Sequence, residues 1–237
     1  MTTSTHFPEV IMHQVRPAAE RGHSQLSWLN SYHSFSFGNY YDPRFQGFSH
    51  LRVINEDQVV AAAGFATHGH RDMEIISYVR QGTLAHQDSL GTREKIQAGE
   101  FQLMRAGSGI RHSEFNASAS EPVHFMQIWI EPAQRGLTPG YQQRAFATQE
   151  GLQVIATPDG ADGSLQVAQD MTLYRWQGGP LDYVLAPGRW LYLQLLTGQL
   201  NGPGVHLAAG DGLQVRESGP FNLQGQGEAL LFDLPAA

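Results

Sequence analysis

Glycine and proline recur throughout this chain, 26 and 12 times in 237 residues, which leaves little room for long helices and favours short strands joined by turns. Between the interruptions lie runs rich in β-branched, aromatic and leucine residues, at 51–54, 75–79, 101–104, 124–130, 152–156, 190–196 and 213–215. Apolar and polar residues alternate in parts of Phe101-Gln102-Leu103-Met104 and Phe125-Met126-Gln127-Ile128-Trp129, the two-residue period of a strand. The pattern predicts an all-β sandwich or barrel, with short helices at most over 71–77 or 141–144.

At 237 residues the chain can form one large all-β domain or two small ones. A polar run rich in proline and glycine spans 131–140 and follows a strongly apolar strand, so it reads as a connection between domains. The expected division is 1–132, a connector over 133–147, and 148–237. A weak internal echo agrees. Tyr78-Val-Arg-Gln-Gly82 is followed by Gln97-Ala-Gly-Glu100 and an apolar strand. Leu195-Leu-Thr-Gly198 is followed by Leu207-Ala-Ala-Gly-Asp211 and Leu213. Both halves read strand, glycine turn, strand, Ala-Gly-acid turn, strand, as a duplicated domain would.

Composition narrows the chemistry. Cysteine is absent, which excludes disulfides, thiolate nucleophiles and zinc–thiolate sites. Any bound metal must be held by imidazole and carboxylate, donors that suit iron, copper, nickel, manganese or zinc. The net charge is −7 and the arginines are scattered, so direct nucleic-acid binding is not expected. No apolar run approaches the roughly 18–20 residues of a membrane span. Residues 1–10 lack the pattern of a signal peptide, so the cytoplasm is the expected compartment.

Two pairs of residues stand out among the 11 histidines. His68 and His70 are two apart, and so are His112 and Glu114; on a strand each pair points to one face. The intervening turns at 81–82, 89–91 and 97–99 allow a barrel to bring the two strands side by side. Three neutral imidazoles and one carboxylate can converge on a single ion and leave coordination positions open. Glu74 keeps the parity of His70 if the strand runs on without a break, so spacing alone leaves Glu74 and Glu114 as competing fourth ligands. His86 reads as structural or as a group behind the site, and His124 as a strand residue with a local partner. His6, His13, His23, His33, His50 and His206 show no ligand spacing. The aromatic run 32–41, with Phe35 and Phe37, either lines an apolar pocket or packs between strands.

The segment Gly64-Phe-Ala-Thr-His68-Gly-His70-Arg-Asp-Met-Glu74 resembles the first motif of the cupin superfamily. Gly99-Glu-Phe-Gln-Leu-Met-Arg-Ala-Gly107-Ser-Gly109-Ile-Arg-His112-Ser-Glu114 resembles the second. Arg105 stands where cupins usually carry proline, and four residues separate Gly107 from His112; in both respects the stretch is similar to the pirin family. Ala85-His86-Gln87-Asp88-Ser89 and Ser34-Phe35-Ser36-Phe37-Gly38 also look pirin-like. The resemblance is strong over about 21–144 and holds only in outline beyond.

The resemblance implies two tandem cupin (jelly-roll-like) β-barrels, of which the first binds metal and the second does not. It implies His68, His70, His112 and Glu114 as ligands, with Glu74 a nearby non-ligand. The implied cofactor is one divalent ion, iron ahead of Mn, Co, Ni, Cu or Zn. Bacterial members act as quercetin 2,3-dioxygenases, so the implied partners are a small phenolic substrate and dioxygen, with Glu114 as the proton-accepting catalytic group. A monomer is expected, with no nucleic acid or membrane as partner. The alternatives are a metal-containing regulatory or redox-sensing protein-binding module, or another small-molecule enzyme of the cupin type.

Overall fold

The computed structural model describes residues 13–237; the readings of His6 and of residues 1–10 fall outside them. The chain first forms β1 (His13–Arg16), β2 (Gly22–Gln25), β3 (Leu29–His33), β4 (Leu51–Val59) and β5 (Gly64–His70). Next come β6 (Glu74–Gln81), β7 (Thr83–Asp88), β8 (Arg93–Gln97), β9 (Glu100–Arg105), β10 (Ile110–Asn116), β11 (Val123–Ile130) and β12 (Gly140–Ala145). The second half holds β13 (Gly151–Thr157), β14 (Leu165–Gln166), β15 (Thr172–Gln177), β16 (Leu181–Leu185), β17 (Arg189–Gly202), β18 (Val205–Ala208), β19 (Gly212–Val215) and β20 (Gly219–Pro235). Short 3-10 turns at Ala18–Glu20 and Ala161–Gly163 are the only helical elements among the described residues. The segments read as possible short helices are strands instead. β6 buries Ile75, Ile76, Tyr78 and Val79 on both its faces, and β12 is drawn into the ladder of β9.

A seven-stranded sheet, in the order β12-β9-β6-β11-β4-β3-β2, faces a four-stranded sheet β5-β10-β7-β8 and forms the first barrel. A nine-stranded sheet built on β1-β19-β17-β20-β15-β13-β14, with β16 and β18 attached, forms the second. Two strands cross the expected division. β1 pairs with β19 of the second barrel, and β12, inside the expected connector, pairs with β9 of the first. Each caps a sheet edge that would otherwise be free to recruit another chain.

The barrels stand back to back. Ile76, Tyr78, Met126 and Ile128 leave the outer face of the first large sheet and join Leu173, Tyr192, Leu230 and Phe232 in one buried cluster. Their neighbours in sequence, at odd positions, point into the first barrel instead.

The internal echo is a structural duplication. β6 and β7, broken at Gly82, correspond to the two halves of β17, which runs on through Gly198. β9 pairs with β6 as β19 pairs with β17, and β8 pairs with β7 as β18 pairs with β17. Likewise β10 and β11 merge into the single long β20, against which β16 pairs as β5 pairs with β10. Matching Gly82 to Gly198 and following the registers places Tyr183, Leu185, Phe221 and Leu223 where the first barrel has His68, His70, His112 and Glu114. Leu185, Phe221 and Leu223 belong to the apolar core of the second barrel. The ligand positions of one barrel are thus polar, and the matching positions of its copy are packed shut.

Candidate metal centre

β5 and β10 are neighbours, with His112 directly across from His68 and Ile110 across from His70. Four strands, β6 to β9, separate them in sequence. The register slips between His112 and Glu114, so β5 carries an extra residue near Ala66 and Thr67. Such a bulge re-aims the strand. It brings the Ala66 carbonyl within 2.8 Å of Nδ1 of His68. A proton on Nδ1 donated to that carbonyl leaves the Nε2 lone pair free to face the cavity. The backbone also demands glycine at two points around these strands. A side chain at Gly64 would meet the Glu114 carbonyl at 2.3 Å, and one at Gly107 the Leu137 carbonyl at 2.1 Å.

The side chains of His68, His70 and His112 converge, with ligand atoms all within 4.8 Å of one another. Glu114 meets this trio at His112, in a second grouping within the same limit that includes His86. Nε2 of His68 and Nε2 of His112 stand 3.1 Å apart. Two ligands at right angles on an ion with bonds of about 2.1 Å would stand about 3 Å apart, so the spacing fits a shared cation. Burial, aided by neighbouring His68, lowers the His70 pKa to about 4. Burial, then His68, His70 and His86, lowers that of His112 to about 3. Both rings are therefore neutral near pH 7, as metal ligands must be. Glu114 is buried and has no cationic partner, and burial raises its pKa to about 7 against the hydrogen bonds from Ser77 and Gln127. A buried carboxylate facing neutral donors and imidazole lone pairs suits a divalent ion.

Glu74 lies elsewhere. The turn before β6, with Asp72 at φ 50°, breaks the parity assumed from His70. Glu74 shares its sheet face with Ile130 and Arg105, away from the imidazoles. Its carboxylate accepts from Nε of Arg105 at 2.8 Å and from the Ala168 amide at 3.0 Å, tying the two barrels together.

The floor behind Glu114 is a row of polar side chains across the large sheet: His33, Asn55, Gln127, Ser77 and Gln102, each paired with the next. The Ser77 hydroxyl donates to Oε1 of Glu114 at 3.1 Å, and Nε2 of Gln127 donates to Oε2 at 2.7 Å. Trp129 donates its indole N–H to Oε1 of Gln127 at 3.2 Å, and Nε2 of Gln102 donates to the Ser77 oxygen at 3.4 Å. In the second barrel the registers put Tyr174, Leu231, Leu193 and Leu213 in the places of Asn55, Gln127, Ser77 and Gln102. Sequence reasoning missed this row. The available signal was a lone polar residue at an inward position of an apolar strand, as in Ile75-Ile-Ser77-Tyr-Val79. His86 is buried, and its Nε2 donates to Asp88 at 3.0 Å. His124 has the local partner expected of it, Glu56 at 3.0 Å.

The centre opens into a cavity of about 670 Å³. Its walls include Leu26, Trp28, Phe37, Phe65 and Trp129, with His68, His70 and Glu114 at one side. Of the aromatic run, Phe37 lines this cavity, whereas Phe35 packs in the core between the barrels. The volume falls within the range of small-molecule sites.

These features define a bicupin, with a histidine–carboxylate centre in one barrel and an apolar plug in the other. Comparison with known proteins agrees. Residues 14–130 match the family model described as Pirin, and residues 154–234 that of the quercetinase C-terminal cupin domain. The quercetin 2,3-dioxygenase of Escherichia coli K12 is 49% identical over 226 residues, covering 93% of this chain and 98% of that protein. A pirin-like protein of Caulobacter vibrioides is 35% identical over 230 residues, covering 94% of this chain and 98% of that one. The crystal structure of the bacterial pirin YhhW from Escherichia coli in complex with nickel(II) superposes with a TM-score of 0.92 at 48% identity, covering 95% of this chain and 100% of that chain. This chain belongs to the pirin family.

Proposed function

We propose that the chain is a metal-dependent dioxygenase that cleaves flavonols such as quercetin with dioxygen and releases carbon monoxide. The observation that carries this reading is the convergence of three neutral imidazoles and a buried carboxylate on an aromatic-walled cavity. The name of the Escherichia coli relative supports the substrate class. His68, His70, His112 and Glu114 would hold one divalent ion, iron in this reading ahead of Mn, Co, Ni, Cu or Zn. That ion would supply Lewis acidity, favouring the deprotonated form of the flavonol 3-hydroxyl.

The protein's own groups do the rest. Trp28, Phe37, Phe65 and Trp129 offer flat apolar surface to an aromatic ring system and exclude water from it. Glu114, the carboxylate beside the imidazole cluster, accepts the substrate proton. Oε1 is the atom that takes it. Its partner Ser77 has a hydroxyl that can turn from donor to acceptor, whereas the Gln127 amide on Oε2 can only donate. The amide thereby holds the carboxylate in one orientation throughout.

We extend the reading to the rest of the molecule. The metal-binding unit is 1–132 apart from β1, which joins the second barrel's sheet, the connector is 133–147, whose β12 joins the first, and the metal-free unit is 148–237; the separate family matches at 14–130 and 154–234 support this division. The protein acts as a cytoplasmic monomer on small phenolic molecules, without direct nucleic-acid contact. The net charge of −7 supports the last point. No helix among the described residues is long and apolar enough to cross a membrane.

The test is direct. Metal-loaded protein mixed with quercetin in air should bleach the visible band of the flavonol and release carbon monoxide. Persistence of that band with Fe, Mn, Co, Ni and Cu alike would overturn the proposal.

A further inference from the structure

The cavity has a second polar wall that the chemistry above leaves unused. On the large sheet, facing the imidazole-bearing sheet, it carries Ser31, Asn55 and Asp57. Asn55 is engaged, its Oδ1 accepting from Nδ1 of His33 at 2.8 Å. Asp57 is different. It is 2% exposed, and its Oδ1 is buried without a hydrogen-bond partner. Two other buried acids of this barrel are matched, Glu74 by Arg105 and Asp88 by His86, and a third, Glu114, faces the imidazole cluster. An orphaned buried oxygen is costly and recurs where a partner is to arrive. Burial, together with Glu114 and Glu56, raises the Asp57 pKa to about 7, opposed by the neighbouring Ser31 hydroxyl. A buried carboxyl can accept from a hydroxyl and, when protonated, can also donate to one. A phenolic hydroxyl has the same pair of capacities.

We propose that Asp57 recognises a second aromatic hydroxyl of the substrate, distinct from the one at the imidazole cluster, so that the cavity selects polyphenols over aromatic enols that lack it. This rests on the flavonol reading above and names the feature of the flavonol that is read. The physical basis is asymmetric. A buried polar group gains from a matching hydroxyl, but is left unpaired under an apolar ring edge, so it discriminates more sharply than an apolar pocket does. The apolar walls hold the ring plane in either case. Asp57 therefore acts in binding and selection, and Glu114 in proton transfer.

The experiment compares quercetin with 3-hydroxyflavone, which keeps the 3-hydroxy-4-keto pair but carries no other hydroxyl. Wild-type, Asp57→Leu, Asp57→Ala and Asp57→Asn proteins, all metal-loaded and full-length, are assayed for kcat and KM. They are also assayed for anaerobic binding by tryptophan fluorescence. In Asp57→Leu the ratio of kcat/KM for quercetin to that for 3-hydroxyflavone should fall by about tenfold or more, through KM. Asp57→Asn, which keeps a donor and an acceptor, should stay within about threefold of wild type. Asp57→Ala carries the same reading if the leucine variant does not fold. An unshifted ratio, or equal losses for both flavonols, overturns the subsite while leaving the dioxygenase reading in place. Preferential binding of quercetin that depends on Asp57, without turnover, supports the subsite and removes the dioxygenase reading. Failure to bind either flavonol overturns both.

Discussion

Glu114 couples metal binding to pH. Its carboxyl is held up to about 7, while His70 and His112 are held down to about 4 and 3. Above about pH 5 a metal thus displaces the proton of Glu114 and meets His70 and His112 already free. Apparent metal affinity should rise by at least about tenfold per pH unit up to about 7 and then level off, with proton release below that point. Calorimetric titration in buffers of different ionisation enthalpy reads both quantities. For the metal-free protein the same shifts act on stability with opposite signs. The contribution of Glu114 is full below its unfolded pKa of 4.5 and is lost as pH rises through about 7. Those of His70 and His112 are full above 6.5 and are lost as pH falls towards about 4 and 3. The two carboxylates separate in the same way. Glu74→Gln should leave metal content near wild type, because Glu74 is occupied with Arg105 and Ala168. Glu114→Gln should lower metal content by at least about tenfold. Elemental analysis of the purified variants decides between them, and the reverse order would exchange their roles.

Each element of the centre depends on a departure from regularity. β5 keeps His68 and His70 on one face, as its two-residue period requires, but the bulge beside Glu114 turns Phe65 towards the cavity as well. The break at Asp72 then puts Glu74 on the opposite face from the one that an unbroken strand would give it. Two anchors hold that turn: its backbone amide donates to the Gly107 carbonyl at 2.8 Å, and the Asp72 side chain accepts from the Gly136 amide at 2.6 Å. The turn that ends β5, the turn that precedes β10 and the connector after β11 are thereby joined. The ligand strands are thus set by three segments distant in sequence. The polar row across β3, β4, β11, β6 and β9 is equally collective, since no one strand carries more than one of its members.

At the scale of the whole molecule, the duplication has split the work. One barrel keeps a polar centre for chemistry, and its copy buries leucine and phenylalanine in the same places. Burying each such side chain contributes about 1.5–3 kcal/mol, so the second barrel is well suited to act as a stabilising buttress. The two are joined through the apolar cluster between their large sheets, and β1 and β12 interlock their edges. Unfolding should therefore be a single transition for both barrels. Phe232→Ala, at the centre of that cluster, should cost about 3–5 kcal/mol and lower the one midpoint without splitting it. Denaturant unfolding followed by tryptophan fluorescence and far-ultraviolet dichroism would show two separated transitions if the barrels were independent.

The sequence by itself determined whatever is local and periodic. Glycine and proline spacing made the chain all-β, and His-x-His and His-x-Glu spacing put each pair on one strand face, because a strand repeats every two residues. The lack of cysteine restricted the donors to imidazole and carboxylate. The motif around Gly107 to Glu114 pointed to the family. Spacing left Glu74 and Glu114 even, because one positive φ at Asp72 reverses every later side chain, and no periodicity reports it. Only the tertiary structure placed His86, Ser77 and Gln127 around Glu114, and Asp57 on the facing wall. Each is a single polar residue in an apolar strand, and its meaning comes from strands paired across long stretches of chain. The exchange of β1 and β12 between the barrels was hidden for the same reason: edge pairing is decided by which backbone is left unpaired once both barrels have closed.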